Sequence, residues 1–366
     1  MQKCSQITII GTGLIGGSIG LALNRKKFCQ TIIGVDEYSI IHKALERGAI
    51  SEGYNPAELA QALKGSDLIF LCTPVQQIVE LLPQIAQFAD ENALVCDVGS
   101  TKTLIVSEAN KYFGKRNFFL GTHPMAGAEK RGIESADPFL FENAIWVLTP
   151  GLLVPEAITR KVGTLFESIG AKILMLTPEM HDDIAAGVSH LPQFAAVAMV
   201  NLLGRHNQQN ANFLKLAAGG FRDMTRIASS PFSVWKDICR TNRDQIVKFL
   251  EEYMNELKQV RNHLLDQDLE TYFDRAATTR LAIPKDSKGF LRPLHDVSIA
   301  VEDIPGVIAK FSNLLAQNNI NIKDIEVLKV REGEGGSIRL AFDTERERRE
   351  AVKLIRDAGF SCYARD

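Results

Sequence analysis

Apolar and polar positions follow three successive patterns along this chain. From Ile7 to about residue 175, short apolar runs (Ile7 to Ile10, Thr31 to Val35, Leu68 to Cys72, Leu94 to Asp97, Ile145 to Leu148, Lys172 to Leu176) alternate with amphipathic stretches. Strands apolar on both faces are buried on both faces, so residues 1–177 are predicted to form a parallel sheet covered by helices on each side. Over residues 178–283 the β-branched runs stop and apolar residues recur at steps of three and four, as at Val247, Leu250, Met254 and Leu257. That period predicts an all-α section. A polar segment with Pro284 and Gly289 reads as a linker over 284–291. Beyond it, residues 292–366 read as strand (Asp296 to Val301), helix (Pro305 to Ala316), two strands (Ile322 to Val330, Ser337 to Phe342), helix (Glu345 to Ala358) and strand (Ser361 to Tyr363). This βαββαβ order is ferredoxin-like.

The first run leads into Gly11-Thr12-Gly13-Leu14-Ile15-Gly16, and a helix-compatible stretch follows, Ser18 to Leu23. Strand, glycine loop and helix in that order form the context of a Rossmann-type dinucleotide site. Gly11 suits the tight turn, Gly13 lets the backbone approach a pyrophosphate, and Gly16 permits close helix packing. Asp36 stands twenty residues beyond Gly16, at the end of the second run. Its carboxylate suits the ribose hydroxyls of NAD and repels the 2′-phosphate of NADP. Thr73-Pro74 ends the third run at the same sheet edge, as a cofactor contact or an ordinary strand-ending turn.

Length and composition narrow the class. At 366 residues two or three domains are expected. Forty-two basic against forty-four acidic residues give a net charge of −2, without the basic excess of a nucleic-acid binder. No apolar run reaches the roughly 18–20 residues of a membrane span, and the first strand begins too early for a secretion signal, which predicts a cytoplasmic protein. Six scattered cysteines without a Cys-x-x-Cys pair read as reduced thiols, and no metal site is expected.

Oxidation by NAD requires a base, and histidine is the usual one. His123 lies in Gly121-Thr122-His123-Pro124-Met125-Ala126-Gly127, read as a loop after Phe118 to Leu120, where it serves as a base or as a turn histidine. His181 and His190, nine apart in a helix, fall on opposite faces and form no metal pair. His190 and Gln193 can share a face. Arg226 is either the clamp for a carboxylate or the partner of Asp223 in a surface ion pair.

Five segments together resemble the prephenate dehydrogenase family: the loop from Ile10 to Ser18, Asp97-Val98-Gly99-Ser100-Thr101-Lys102, His123 to Glu129, Ser189-His190-Leu191-Pro192 and Asp223-Met224-Thr225-Arg226. The resemblance covers roughly residues 5–280. It implies NAD-dependent oxidation and decarboxylation of prephenate to 4-hydroxyphenylpyruvate, with His123 taking the proton of the ring hydroxyl and Ser100 bonded nearby to orient it. It further implies that Arg226 holds the ring carboxylate, that Asp223 and Glu129 belong to an ionic network around it, and that Ser189, His190, Ser230 and Trp235 line or support the pocket. Many members have a second histidine where this chain has Gln193, which leaves arogenate open as a second substrate. The helical section is implied to be a homodimer core.

The C-terminal section, with Asp303-Ile304-Pro305-Gly306-Val307 and Asn319-Ile320-Asn321-Ile322, resembles an ACT domain. That implies an amino-acid effector near Asp303, Pro305, Gly306, Val307 and Asn321, with L-tyrosine the expected one, or a domain that only assists dimerisation. Two other readings fit the same pattern: another Rossmann dehydrogenase with a helical second domain, and a non-catalytic sensor of NAD and an amino acid.

Overall fold

β1 (Cys4–Ile10) buries its last four residues completely, as a run without polar alternation requires, and lies inside an eight-stranded sheet. The computed structural model describes residues 4–114, 116–126, 131–151, 153–266, 268–283, 295–302, 304–331 and 335–365. β1 is flanked by β2 (Cys29–Val35) and then β3 (Glu52–Tyr54) on one side. On the other side follow β4 (Leu68–Leu71), β5 (Leu94–Asp97), β6 (Phe118–Pro124), β7 (Ile145–Pro150) and β8 (Lys172–Met175). Alternate residues feed two cores: Ile7 and Ile9 pack with Ile19, Leu23, Trp146 and Phe166 on one face, while Ile10, Ile69 and Leu71 pack with Ile78 and Leu82 on the other. Trp146 stacks on Phe166 with ring centroids 3.8 Å apart and planes 10° apart.

The sheet differs from the expected one in two places. β7 runs antiparallel to β6, and β3 is a three-residue edge strand too short and polar to stand out in the sequence. The third correction concerns His123, which is not on a loop: β6 continues through it to Pro124, and His123 pairs with Val147 of β7. Gly121 and Pro124 gave this stretch the look of a loop. A Cβ at Gly121 would lie 2.4 Å from Thr149 Oγ1 and 2.6 Å from Val106 Cγ2, so glycine there serves close packing inside a strand.

Three helical segments run end to end from Pro178 to Gln209: Pro178–Ala185, a π-helical turn Ala186–His190, and Leu191–Gln209. By length and composition alone this stretch would cross a bilayer, contrary to the expectation that no segment reaches that size. Its first half instead buries His181, Asp182, His190 and Gln193. Helices Gly219–Thr225, Phe232–Thr241, Arg243–Asp266 and Glu270–Ala282 follow. Residues 1–278 make one compact unit, so this helical section packs on the sheet and does not stand apart. The periodic apolar positions of Arg243–Asp266 do lie on a helix, yet Val247, Met254 and Leu257 stay about half exposed in the single chain.

The second unit, residues 279–366, carries β9 (His295–Val301), β10 (Asp324–Arg331), β11 (Gly335–Phe342) and β12 (Cys362–Arg365) in the order β10-β11-β9-β12. Helices Val307–Gln317 and Glu345–Asp357 cover one face, closing a core of Val297, Ile299, Phe311, Leu340 and Ile355. Strand order and pairing are those of the ferredoxin-like fold. The linker at 284–291 and Asp303 lie outside the described residues.

Replacing Phe166 by alanine removes the partner of Trp146 and opens a cavity in the first core. The expected loss is about 3–5 kcal/mol, read from the first unfolding transition in urea, and a loss near zero would contradict the packing described.

Candidate active site

The glycine loop is shaped by three contacts. Gly11 has φ +89°, and a Cβ there would lie 2.8 Å from the Cys72 carbonyl. A Cβ on Gly16 would come 2.0 Å from the Gly11 oxygen, so the helix Leu14–Arg25 can pass this close only with glycine. Gly13 faces open space, where nothing lies within 4 Å of a built Cβ. The loop is tied down from β2: Asp36 Oδ2 accepts from Thr12 N at 2.7 Å and Thr12 Oγ1 at 3.1 Å. Beside it a cleft of about 450 Å³ is lined by Ile10, Gly11, Val35, Asp36, Leu59 and Thr73. Thr73 Oγ1 is buried there without a hydrogen-bond partner, a polar atom available to a ligand. Pro74 caps the helix Val75–Phe88. Leu14 and Ile15 open the helix Leu14–Arg25 directly after the glycine loop. An open Gly13, an anchored carboxylate and an unpartnered hydroxyl fit a dinucleotide. Gly11, Gly13 and Gly16 would accommodate its pyrophosphate and Asp36 its ribose.

His123 ends β6, at the same edge of the sheet. Its Nδ1 lies 2.8 Å from His181 Nε2, and His181 Nδ1 lies 2.8 Å from Asp182 Oδ1. Asp182 also accepts from Lys102 N at 2.7 Å and Thr103 N at 2.9 Å. Burial pushes the Asp182 carboxyl up, but the hydrogen bonds from His181, Thr103 and Lys102 outweigh it and hold it below the usual carboxylate range. An ionised carboxylate only accepts, so His181 Nδ1 carries the proton and its Nε2 accepts from His123 Nδ1–H. His123 Nε2 is then left with a lone pair. Burial above all, with the Lys102 ammonium nearby adding to it, holds His123 well below the ordinary histidine value, so the ring is neutral at neutral pH although part of it stays accessible.

The backbone that carries His123 is clamped by a buried ion pair. Lys102 Nζ pairs with Asp97 Oδ2 and donates to Thr122 O at 2.8 Å, while Asp97 Oδ1 accepts from Thr122 N at 3.0 Å. Trp146 Nε1 donates to Thr122 Oγ1 at 3.0 Å. Both charged side chains are fully buried, and removal of either would strand the other.

A branch leads from Asp182 to the helical pocket. Asn242 Nδ2 donates to Asp182 O at 2.8 Å and lies 3.3 Å from His190 Nδ1. An amide donor at Nδ1 leaves His190 with its proton on Nε2, and burial lowers its pKa to about 4. Trp235 meets the His190 ring edge-on at 5.8 Å, and its Nε1 is buried without a partner. Gln193 is buried one turn from His190, and Ser189 is half-buried beside it.

Other expected residues lie on different elements. Ser100 lies between β5 and the helix Thr103–Ala109, and among the described residues His181, not Ser100, is the hydrogen-bond partner of His123. Asp223 sits on the exposed helix Gly219–Thr225, Arg226 opens the next turn, and Ser230 follows it, all three exposed. Glu129 lies outside the described residues. In the second unit Pro305 and Gly306 form the turn after β9, with Gly306 at φ +87° and Val307 starting the helix. Asn321 follows that helix, so it lies at the opposite end of the sheet from the turn, and one copy does not bring the two together. His181, Asp182, Asp97, Lys102 and Asn242 were not singled out as site residues from the sequence. The adjacent His181-Asp182 pair at the start of the helical section was the available signal.

Three family descriptions match in succession: "Prephenate dehydrogenase, nucleotide-binding domain" over residues 19–175, "Prephenate dehydrogenase, dimerization domain" over 177–277, and "ACT domain" over 295–358. The prephenate dehydrogenase of Bacillus subtilis is 34% identical across 97% of this chain and 96% of its own. Among solved structures, prephenate dehydrogenase from Aquifex aeolicus, in complex with hydroxyphenyl propionate and NAD+, superposes with a TM-score of 0.71 at 31% identity, covering 76% of this chain and 98% of its own. Synechocystis arogenate dehydrogenase superposes with a TM-score of 0.65 at 31% identity, covering 75% and 98%.

Asp36→Ala removes the charged acceptor beside the glycine loop. NAD binding measured by calorimetry should weaken by about 1.5–3 kcal/mol, tenfold or more in Kd. An unchanged Kd would take Asp36 out of the cofactor site.

Proposed function

The chain belongs to the prephenate dehydrogenase family of NAD-dependent oxidoreductases, and from that premise we propose that it converts prephenate to 4-hydroxyphenylpyruvate and carbon dioxide, under feedback by L-tyrosine. The observation that carries this reading is the His123–His181–Asp182 chain of short contacts, which leaves the neutral His123 its Nε2 lone pair. NAD supplies the hydride acceptor.

The protein's part is proton handling and orientation. His123 Nε2 takes the proton of the ring 4-hydroxyl as the carbinol carbon is oxidised, and the new imidazolium is stabilised through His181 by the Asp182 carboxylate. Loss of the ring carboxylate as carbon dioxide sends its electron pair into the ring. The oxygen that becomes phenolic then recovers a proton from His123, so the base is restored. Ser100, at the start of the segment that leads to Lys102, stands by as a hydroxyl donor near the reacting oxygen. Arg226 serves as the bidentate partner of the ring carboxylate, with Asp223 and Glu129 around it, and Ser189, His190, Ser230 and Trp235 form the pocket wall.

The pyruvyl side chain falls to Gln193, a buried neutral amide. An amide can hydrogen-bond a carbonyl or carboxylate but adds no positive charge, which makes the site tolerant of an amino group in the same place. Arogenate is therefore the second substrate, a reading also supported by the match to Synechocystis arogenate dehydrogenase.

The assembly is a homodimer built on the helical section. Leu216, Leu264 and Phe273 are 81%, 62% and 68% exposed in the single chain, more apolar surface than an isolated helical layer would leave in water. L-tyrosine binds at the Asp303 to Val307 turn. The separation of Asn321 from that turn supports an effector site shared by two ACT domains.

NADH absorbance with purified protein, NAD and prephenate tests the reading. Turnover that falls on addition of L-tyrosine is expected; no turnover with either prephenate or arogenate from folded, NAD-binding protein would reject it. His123→Asn should lower kcat by roughly 10²–10⁴-fold while NAD still binds. Since the base acts unprotonated and its pKa is depressed, kcat/KM should persist as pH falls and drop only below the ordinary histidine value of 6.5. An acid limb above that value would contradict the assignment. Asp182→Asn should also lower kcat by roughly 10²-fold or more, by removing the acceptor that orders the two imidazoles.

A further inference from the structure

β1 and β2 are parallel and in register from their first residues, so Cys4 stands directly opposite Cys29. Register neighbours on adjacent strands point to the same face, and both side chains pack on the same apolar cluster. Strand spacing of about 4.8 Å puts the two Cα atoms inside the range of roughly 4.4–6.8 Å that a disulfide spans. Both thiols are free and half-buried. They stand close enough that each shifts the other's ionisation. Cys4 Sγ also donates to Asp67 Oδ2 at 3.3 Å, and Cys29 Sγ to Thr31 O at 3.0 Å.

We propose that Cys4 and Cys29 are a redox modification site, closed to a cross-strand disulfide by a small-molecule disulfide of the glutathione type. Cys29 is the attacking group: the Cys4 thiol beside it lowers its pKa to about 7, which leaves a large thiolate fraction at neutral pH. Its sulfur attacks one sulfur of the oxidant, breaking that disulfide, forming a mixed disulfide and releasing one thiolate. Cys4 is held protonated chiefly by the Cys29 sulfur beside it, with burial and Asp67 adding to the effect. Capping Cys29 removes the first of these. Cys4 then attacks the Cys29 sulfur and expels the second small thiol, which takes the Cys4 proton. Two electrons pass from the cysteine pair to the oxidant, which leaves as two thiols.

The remaining cysteines do not share this arrangement. Burial pushes the Cys72 and Cys96 thiols well up, and neither stands opposite a cysteine in its sheet register. The pair also sits at the starts of β1 and β2, whereas the glycine loop and Asp36 follow their ends, roughly 20 Å away along the strands. Closure should therefore leave the cofactor site intact.

The test treats the full-length protein with oxidised glutathione, blocks free thiols with iodoacetamide and maps tryptic peptides without reduction. Cleavage after Lys3, Arg25, Lys27 and Lys43 places the two cysteines on separate peptides, 4–25 and 28–43. The expected product is these two peptides joined with the loss of two hydrogens, released by dithiothreitol, from protein that still binds NAD with unchanged Kd. Cys4→Ser should stop at a mixed disulfide on Cys29, and Cys29→Ser should leave Cys4 to be alkylated. Recovery of both cysteines alkylated, a stable mixed disulfide on Cys29 of the unsubstituted chain, or crosslinking confined to protein that no longer binds NAD would overturn the proposal.

Discussion

The Asp182 carboxylate is the point on which the catalytic end of the first unit depends. One oxygen accepts from His181 and from the backbone of Lys102, the other from the backbone of Thr103. It therefore fastens the helical section to the loop after β5 and orders two imidazoles in the same act. A buried carboxylate without these donors would be costly, and so the helix beginning at Pro178 cannot shift relative to the sheet without exposing that cost. The chemistry of His123 inherits its direction from this constraint, because an acceptor-only group at one end of the chain leaves one tautomer at the other.

A second buried charge pair serves the same end from the opposite side. Asp97 and Lys102 together hold the N–H and C=O of Thr122, the residue before His123. The base is thus fixed at its ring by the helices and at its backbone by the sheet. Rigid support on both sides is what an oriented proton acceptor needs, and it explains why a lysine and an aspartate are kept fully buried where an apolar pair would cost less.

Most of the architecture was legible in the chain because burial on both faces, helical period and a glycine loop each leave local marks. At the nucleotide end Gly11 and Gly16 make the close backbone approaches that the glycine spacing implied, whereas the anchoring of Asp36 by Thr12 was not written in the spacing. What was not legible is what depends on distant packing. Gly121 looked like loop punctuation because the neighbours that require it, Val106 and Thr149, come from other parts of the chain. The role of His181 was hidden for the same reason, since its partner lies 58 residues away on another element. Setting His181 and His190 on opposite helix faces argued against a metal pair, but spacing could not show that each is oriented by its own polar neighbour, Asp182 in one case and Asn242 in the other. The likeness to the family supplied His123 and Ser100, but the hydrogen bond that orients His123 came from His181.

The ordering of tautomers from Asp182 to His123 can be observed without substrate. Long-range proton–nitrogen NMR correlations on protein labelled with nitrogen-15 only at its seven histidines, assigned with a His123→Asn variant, report which ring nitrogen carries the proton. At neutral pH His123 should be neutral with the proton on Nδ1, and His181 should likewise carry Nδ1–H. A His123 ring protonated on Nε2, or an imidazolium at that pH, would contradict the relay and leave the proposed base without a lone pair to offer.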